Sequence, residues 1–331
     1  MKKADYHVVN EIVEYAKQEK GKSRADFVNA ILRRYLREQG TRSGIPEGAL
    51  EHSFPQWLVK RWETRYGRAG AEKLLTALNE TPQFALRVNL EKISISEAAS
   101  LLRKEGIKTE EGTLSESALC VRKLGPVLKN KLFMESLISV QDEMSQLVGT
   151  AIGTQTNKRI LDACAGLGTK TRQIQEICPG SVVVSMDNNI QRLKSIAGTG
   201  TTVLGDAVRS PFRKGVFDII LIDAPCSSLG IIRKHPEIKW RRRQQDIISF
   251  SNYQLTLLNA LWDNLEEGGC LVYSVCSFEP EETTEVIAKF RKERRFRLEN
   301  PLPFLFNKEY FLSVPHHTGA DGFFIAKMKK I

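Results

Sequence analysis

The stretch RILDACAGLGTKT, residues 159–171, runs from a short apolar segment into a glycine loop and then into polar, helix-compatible sequence. Gly166 and Gly168 let the backbone turn sharply and approach a ligand before a helix begins. A lone Gly-x-Gly also serves plain tight turns, so its neighbours decide the reading. SVVVSMD at 181–187, TTVLGDA at 201–207, FDIILIDAPC at 217–226 and GCLVYSVC at 269–276 are four more short runs rich in Val, Ile and Leu. Between them lie helical segments such as TKTRQIQEI and YQLTLLNALWDNLEE. This alternation predicts an α/β domain with a doubly wound, mostly parallel sheet covered on both faces. FLSVP and DGFFIAKMKK close it as a last pair of strands.

Ligands of such sheets bind outside the carboxyl ends of the strands, and the informative residues fall there. The first strand ends in the glycine loop, the second at Asp187, the third at Asp206 and the fourth at Asp223. One Asp at a strand end is ordinarily a turn or helix cap. Four successive strands ending this way predict a nucleoside cofactor laid across them, with Asp187 placed to hold a pair of ribose hydroxyls. A dinucleotide site wants a third glycine, Gly-x-Gly-x-x-Gly, to seat a pyrophosphate, whereas position 171 is Thr. Asp206 suits an adenine amine. S-adenosylmethionine is the cofactor expected.

Two of these runs empty into cysteines, Cys226 after DAP and Cys276 after YSV. The six cysteines form no CxxC pair and no Cys/His cluster of zinc spacing, so no metal is expected. A single strand-end thiol reads as packing. Two of them on neighbouring strands beside Asp223 read as catalytic. Cys164 is assigned to the cofactor loop by backbone contact, and Cys120, Cys178 and Cys270 to structure. His316 and His317 are read as packing or surface residues.

A net charge of +10 favours an anionic partner. RKHPEIKWRRR, residues 233–243, gathers six Lys/Arg with a His and a Trp only seven residues beyond Cys226. Such a run suits a phosphate backbone and a stacked base, which makes Arg233, Lys234, His235, Lys239, Trp240, Arg241, Arg242 and Arg243 candidate RNA contacts. KFRKERRFR at 289–297 reads first as a solvated helix end. Upstream, DYHVVNEIVEYAKQ and SRADFVNAILRRYLREQ read as two amphipathic helices, with Phe27, Ile31, Leu32, Tyr35 and Leu36 at helical spacing. GTRSGIPEGALEHSFPQ, at 40–56, reads as a linker. WLVKRWETRYG and AEKLLTALNE read as helices, ALRVNL as a strand, ISEAASLLRKEG as a helix and ALCVRKL as a strand. The expected domains are a helical segment over 1–42, a small α/β module over 43–137 and the cofactor-binding domain over 138–331. No apolar run approaches the ~18 residues of a membrane span, and the first residues lack the apolar core of a signal peptide. A cytoplasmic protein is expected.

DACAGLGTKT, SMDNNIQRL, GDA, DAPCSSLGIIRKHPEIKW, YSVCSFEPEE and DGFFIAKMKK resemble, in order and spacing, the motifs of the RNA cytosine-carbon-5 methyltransferases. They are most similar to the Sun/Fmu-type bacterial enzymes that methylate 16S ribosomal RNA. FPQWLVKRW, LRVN and SVQDEMSQL resemble the same family, so nearly the whole chain is covered. The family usually reads Ala-Pro-Gly-Gly-Lys-Thr where this chain has Gly166 to Thr171, a departure that keeps the glycines and Lys170. The first helices resemble only the last part of the NusB-like domain these enzymes carry.

The resemblance implies an RNA-binding middle module and S-adenosylmethionine held by Cys164, Ala165, Gly166, Leu167, Gly168, Thr169 and Lys170 of the loop, with Asp187, Arg192, Asp206 and Asp223. Carbon 5 of cytosine is too electron-poor to take a methyl cation until a thiolate has added to carbon 6. Cys276 is implied as that nucleophile and Cys226 as the residue that assists release. Lys170 joins the catalytic set, and Asp223 is placed to contact ring nitrogen 3. The expected substrate is 16S rRNA, free or in an assembling small subunit, and the expected state is a monomer. The alternatives are a transfer RNA cytosine methyltransferase, a DNA cytosine methyltransferase, whose nucleophile would be the Pro-Cys thiol, and a catalytically silent RNA-binding assembly factor.

Overall fold

The computed structural model describes residues 5–38, 52–196 and 200–331. The chain forms two compact units, Met1–Ser53 and Phe54–Ile331. Most of the segment read as a linker, residues 40–51, lies outside the described residues, as does the 42/43 boundary. In the first unit the helices Asp5–Lys20 and Lys22–Glu38 are separated by Gly21, whose φ of 82° breaks the helical path. Val9 and Ala25 are buried, while Phe27, Ile31 and Tyr35 of the apolar stripe are exposed.

The second unit opens with the helix Gln56–Asn79. Within it are the two helices expected here, parted at Gly67, whose φ of 71° and ψ of 168° are not helical. A four-stranded antiparallel sheet follows, made of β1 (Phe84–Val88), β2 (Glu110–Glu111), β3 (Ala118–Val121) and β4 (Ile138–Val140) in the order β2-β3-β1-β4. Its core joins Leu86, Val88, Leu119 and Val121 to Leu102 of the helix Ile95–Lys104, whose first turn is capped by the Ser94 hydroxyl. β4 pairs with β1, so the small sheet takes in residues beyond position 137.

The large sheet holds β5 (Arg159–Asp162), β6 (Val182–Asp187), β7 (Thr201–Leu204), β8 (Phe217–Asp223), β9 (Leu265–Val275), β10 (Phe296–Glu299), β11 (Tyr310–Ser313) and β12 (Phe323–Lys330). Their order is β10-β12-β9-β8-β5-β6-β7, and β11 pairs with β12 beside β10. β5 to β9 are parallel, and β12 runs antiparallel to β9. Alternation along each strand divides the apolar residues between two layers. Leu161, Ile220, Ile222 and Leu271 pack with Leu257 and Phe290, from the helices Gln244–Trp262 and Thr284–Glu293. Ile160, Ile219, Leu221 and Val272 pack on the other side, with Leu147 and Ile174 from the helices Glu143–Ile152 and Thr169–Ile177. This is the doubly wound α/β fold read from the sequence.

The sheet claims two stretches that periodicity gave to helices. The end of YQLTLLNALWDNLEE starts β9, because the helix stops at Trp262 and Asn264 turns its amide onto the Phe212 and Arg213 carbonyls. The end of KFRKERRFR becomes β10, paired with β12 from Phe296 opposite Lys330.

Candidate active site

The chain order of the large sheet reverses at β5, whose neighbours are β6 and β8, and this is where open α/β sheets bind ligands. The loop after β5 closes on itself through Gly168 N–H to Ala165 O at 2.9 Å, and Ala165 N–H donates to Met186 O at 2.9 Å. Gly168 sits at φ 79°, and a Cβ there would lie 2.7 Å from Ile196. Gly166, at φ 57°, donates its N–H to Asp187 Oδ2 at 2.9 Å, while Asn189 N–H donates to Oδ1 at 2.8 Å. Asp187 therefore fixes the glycine loop as well as facing the cavity. Arg192 Nη1 lies 3.8 Å from the same carboxylate. Asp206 is exposed at the next strand end and caps the turn through Val208 N–H at 3.0 Å.

A cavity of about 310 Å³ lies over these strand ends, and Cys164, Asp187, Arg192, Asp223, Cys226 and Cys276 all line it. The rest of the loop, Ala165 to Lys170, and Asp206 do not reach that lining. Phe250, Tyr253 and Arg242 form another part of the wall, joined by Asn188 and Ser228. Sequence reasoning missed Asn188 and Ser228, and it missed Phe250 and Tyr253. Their spacing of three on one helix was visible, but ordinary amphipathic helices show the same spacing. Burial beside Asp162, Asp223 and Asp187 pushes the Cys164 thiol well above the usual range, so it stays protonated.

β8 and β9 run side by side with Asp223 in register with Ser274, so their loops leave the sheet together. Cys226 and Cys276 consequently face each other, Sγ to Sγ at 3.3 Å. The Cys226 thiol donates toward Cys276, which lowers the Cys276 pKa against the effect of burial, and the same bond raises that of Cys226. Ser228, held at φ 62°, brings its hydroxyl within 3.5 Å of the Cys276 sulfur. Asp223 takes Lys170 Nζ at 2.5 Å on one oxygen and the Ser274 hydroxyl at 2.7 Å on the other. Gly230 donates to Cys276 O at 3.1 Å, and a Cβ there would fall 1.9 Å from Gly322 O, so only glycine lets these turns cross.

The basic run divides between inside and outside. Arg233 pairs with Asp321 and donates to Gly319 O at 2.8 Å. Lys234 pairs with Asp142 and with Asp321, the latter at 2.7 Å. Lys239 is buried, with Nζ 4.3 Å from the Phe54 ring centroid and 3.1 Å from Asn79 Oδ1. Arg242 donates to Ser227 O at 2.9 Å and stacks over Phe250 at the cavity wall. His235, Trp240, Arg241 and Arg243 are exposed. Among the described residues no group of three or more His, Cys, Asp or Glu could hold a metal ion, and no helix is long and apolar enough to cross a membrane.

The strand order, the glycine loop at the switch point and the acidic strand ends around one cavity define a class I methyltransferase. Family models match in three stretches: "16S rRNA methyltransferase RsmB/F" over residues 150–329, the RsmF/B-like ferredoxin-like domain over 54–128, and the NusB family over 1–37. A probable ribosomal RNA small subunit methyltransferase B of Bacillus subtilis is 34% identical over 98% of this chain and 78% of its own length. A ribosomal RNA small subunit methyltransferase B of Vibrio cholerae is 35% identical over 97% and 76%. The chain belongs to the RsmB/F family of 16S rRNA methyltransferases. Two crystal structures of Pyrococcus horikoshii proteins share the fold. One is NSun6 with SFG, at TM-score 0.74 and 20% identity over 84% of this chain and 99% of that one. The other is a methyltransferase homolog protein, at TM-score 0.71 and 24% identity over 86% and 97%.

The cofactor is S-adenosylmethionine, and the residues present fit it. Asp187 lines the cavity and would offer carboxylate oxygens to a ribose, and Phe250 and Tyr253 would give an aromatic wall. Asp162 Oδ1, buried and without a partner, is an acceptor left over inside the fold.

Proposed function

We propose that this methyltransferase acts on carbon 5 of a cytosine in 16S rRNA, with Cys276 as the nucleophile. The observation that carries the reading is the pair of thiols 3.3 Å apart beside the Lys170–Asp223 pair. S-adenosylmethionine supplies an electrophilic methyl group. The Cys276 thiolate adds to carbon 6, and the electron pair of the ring double bond moves toward carbon 5. Asp223 contacts ring nitrogen 3, and Lys170 beside it holds a proton available there. After methylation the carbon-5 proton leaves, its electron pair re-forms the double bond, and Cys276 departs as thiolate. Cys226 assists this release. Glycine-loop residues Ala165 to Lys170 and Asp206 serve the cofactor, the loop by fixing the backbone beside Asp187 and Asp206 from the rim. His235, Trp240, Arg241 and Arg243 are the exposed members of the basic run, so they are the ones read as RNA contacts. The enzyme works as a cytoplasmic monomer, on rRNA either free or in an assembling subunit.

Two measurements test this. Bisulfite mapping of rRNA and tRNA from cells with and without the gene should show one 5-methylcytosine lost from 16S rRNA, and a loss confined to tRNA would overturn the target. On denaturing gels, Cys276→Ala should be inactive and form no covalent RNA complex, while Cys226→Ala accumulates one that the double variant lacks. Adduct from Cys276→Ala and none from Cys226→Ala would move the nucleophile to the Pro-Cys thiol.

A further inference from the structure

The 3.3 Å contact between Cys226 and Cys276 joins two turns that nothing covalent connects. A thiol–thiol hydrogen bond is too weak to hold two loops together by itself. The residue after each cysteine is a serine, and both serines turn away from the cavity onto one side chain. Ser227 donates its backbone N–H to Glu282 Oε1 at 2.7 Å and its hydroxyl to Oε2 at 2.5 Å. Ser277 donates its hydroxyl to the same Oε2 at 2.6 Å. Gln254 Nε2 reaches Oε1 at 3.2 Å and also the carbonyl of Pro225, next to Cys226, at 2.9 Å.

Glu282 is fully buried, and among the described residues no cation pairs with it. A carboxylate in such a place costs more than an apolar side chain of similar size unless its acceptors are used. Here three of the four donors come from the two cysteine turns. Glu282 is itself anchored, since the Tyr273 hydroxyl donates to its carbonyl at 2.7 Å and the Ser251 hydroxyl to that of Glu281 at 2.6 Å. We infer that Glu282 is a positioning residue for the two thiols: one buried carboxylate bonded to Ser227 and Ser277 fixes the two cysteine turns to each other and thereby sets the separation of the sulfurs. The inference rests on the reading of this pair as the reacting thiols.

Cys276 is faced by the Cys226 thiol at 3.3 Å and the Ser228 hydroxyl at 3.5 Å, whose hydrogen bonds hold its pKa down, the Cys226 contact most, together with the Lys170 charge, while burial and the Asp223 charge push it up. If the turns drift apart, the Cys226 bond is the first of these to lengthen. Cys276 then titrates higher, because burial and the Asp223 charge push its thiol up once that bond is lost.

The test is the pH dependence of iodoacetamide alkylation at Cys276, read by peptide mass spectrometry on the full chain without cofactor or RNA. Glu282→Ala should move the midpoint up by about one unit and lower kcat at pH 7 by tenfold or more, with S-adenosylmethionine affinity by calorimetry and KM for RNA within twofold of the parent. Glu282→Gln keeps an acceptor for the Ser227 N–H and offers an amide to both serine hydroxyls, so it should restore the parental midpoint. Should Glu282→Ala fail to fold, Ser227→Ala combined with Ser277→Ala removes both hydroxyl bonds from a filled core and should shift the midpoint in the same direction. A parental midpoint in either variant, even with a lowered Tm, would leave Glu282 a stabilising residue only and overturn the inference. An active Cys276→Ala enzyme would instead sink the nucleophile reading and leave the alkylation result standing, so the two failures are distinguishable.

Discussion

Asp162 shows how much a single buried group can bear on the stability of the fold. It closes β5 with 1% exposure, one oxygen accepting the Thr171 hydroxyl at 2.7 Å and the other unpartnered. Burial raises its pKa to about 6, above the ordinary carboxylate value. The folded chain therefore binds this proton more tightly than the unfolded chain does, and the stability contributed by the protonated group is lost as pH rises from about 4 through 6. Asp162→Asn removes that loss. In thermal melts of the cofactor-free protein the variant should gain on the parent by several degrees above pH 6, with the gap closing near pH 4. A parent at least as stable as the variant at pH 8 would show that the carboxylate is better satisfied than its geometry implies.

At the level of elements, the run 233–243 is a loop and a short helix, Ile238–Arg241, with two jobs. Arg233 and Lys234 converge on Asp321, which is fully buried, and they tie this segment to the turn before β12. Changing both to Ala leaves that carboxylate without either cation, at a cost of about 3–5 kcal/mol, to be seen as a lowered urea midpoint. Arg241 and Arg243 project into solvent. Arg241→Ala with Arg243→Ala should leave the urea midpoint in place and flatten the salt dependence of RNA binding by up to about 1.4 units of slope, at roughly 0.7 per contact on a single strand. An unaltered slope would return these two to a solvated face.

Across the whole of the second unit, the helix Gln56–Asn79 is fastened to the Cys276 loop through Glu279. That carboxylate, fully buried, accepts from Arg61 Nε and Arg65 Nη2, both at 2.6 Å, and from Trp62 Nε1 at 2.8 Å. Glu279→Ala takes the carboxylate from Arg65 and from the Trp62 N–H while Arg61 keeps Glu281, and should cost about 3 kcal/mol by urea denaturation with the slope unchanged. A loss below about 1 kcal/mol would mean that the packing of Trp62 against Phe54 and Phe278, each 5.7 Å between ring centroids, holds the helix by itself. The same scale separates what was legible in the sequence from what was not. The strands, the glycine loop and the strand-end position of both cysteines were readable because each is local, an apolar run or a glycine acting within a few residues. Which members of the basic run face outward, how the thiols meet and what braces them were not, because the deciding partners are distant in the chain. Arg233 finds Asp321 across 88 positions, Ser227 finds Glu282 across 55, and Cys226 meets Cys276 across 50. Side-chain direction is set by such partners, and only the folded sheet brings them within hydrogen-bond range.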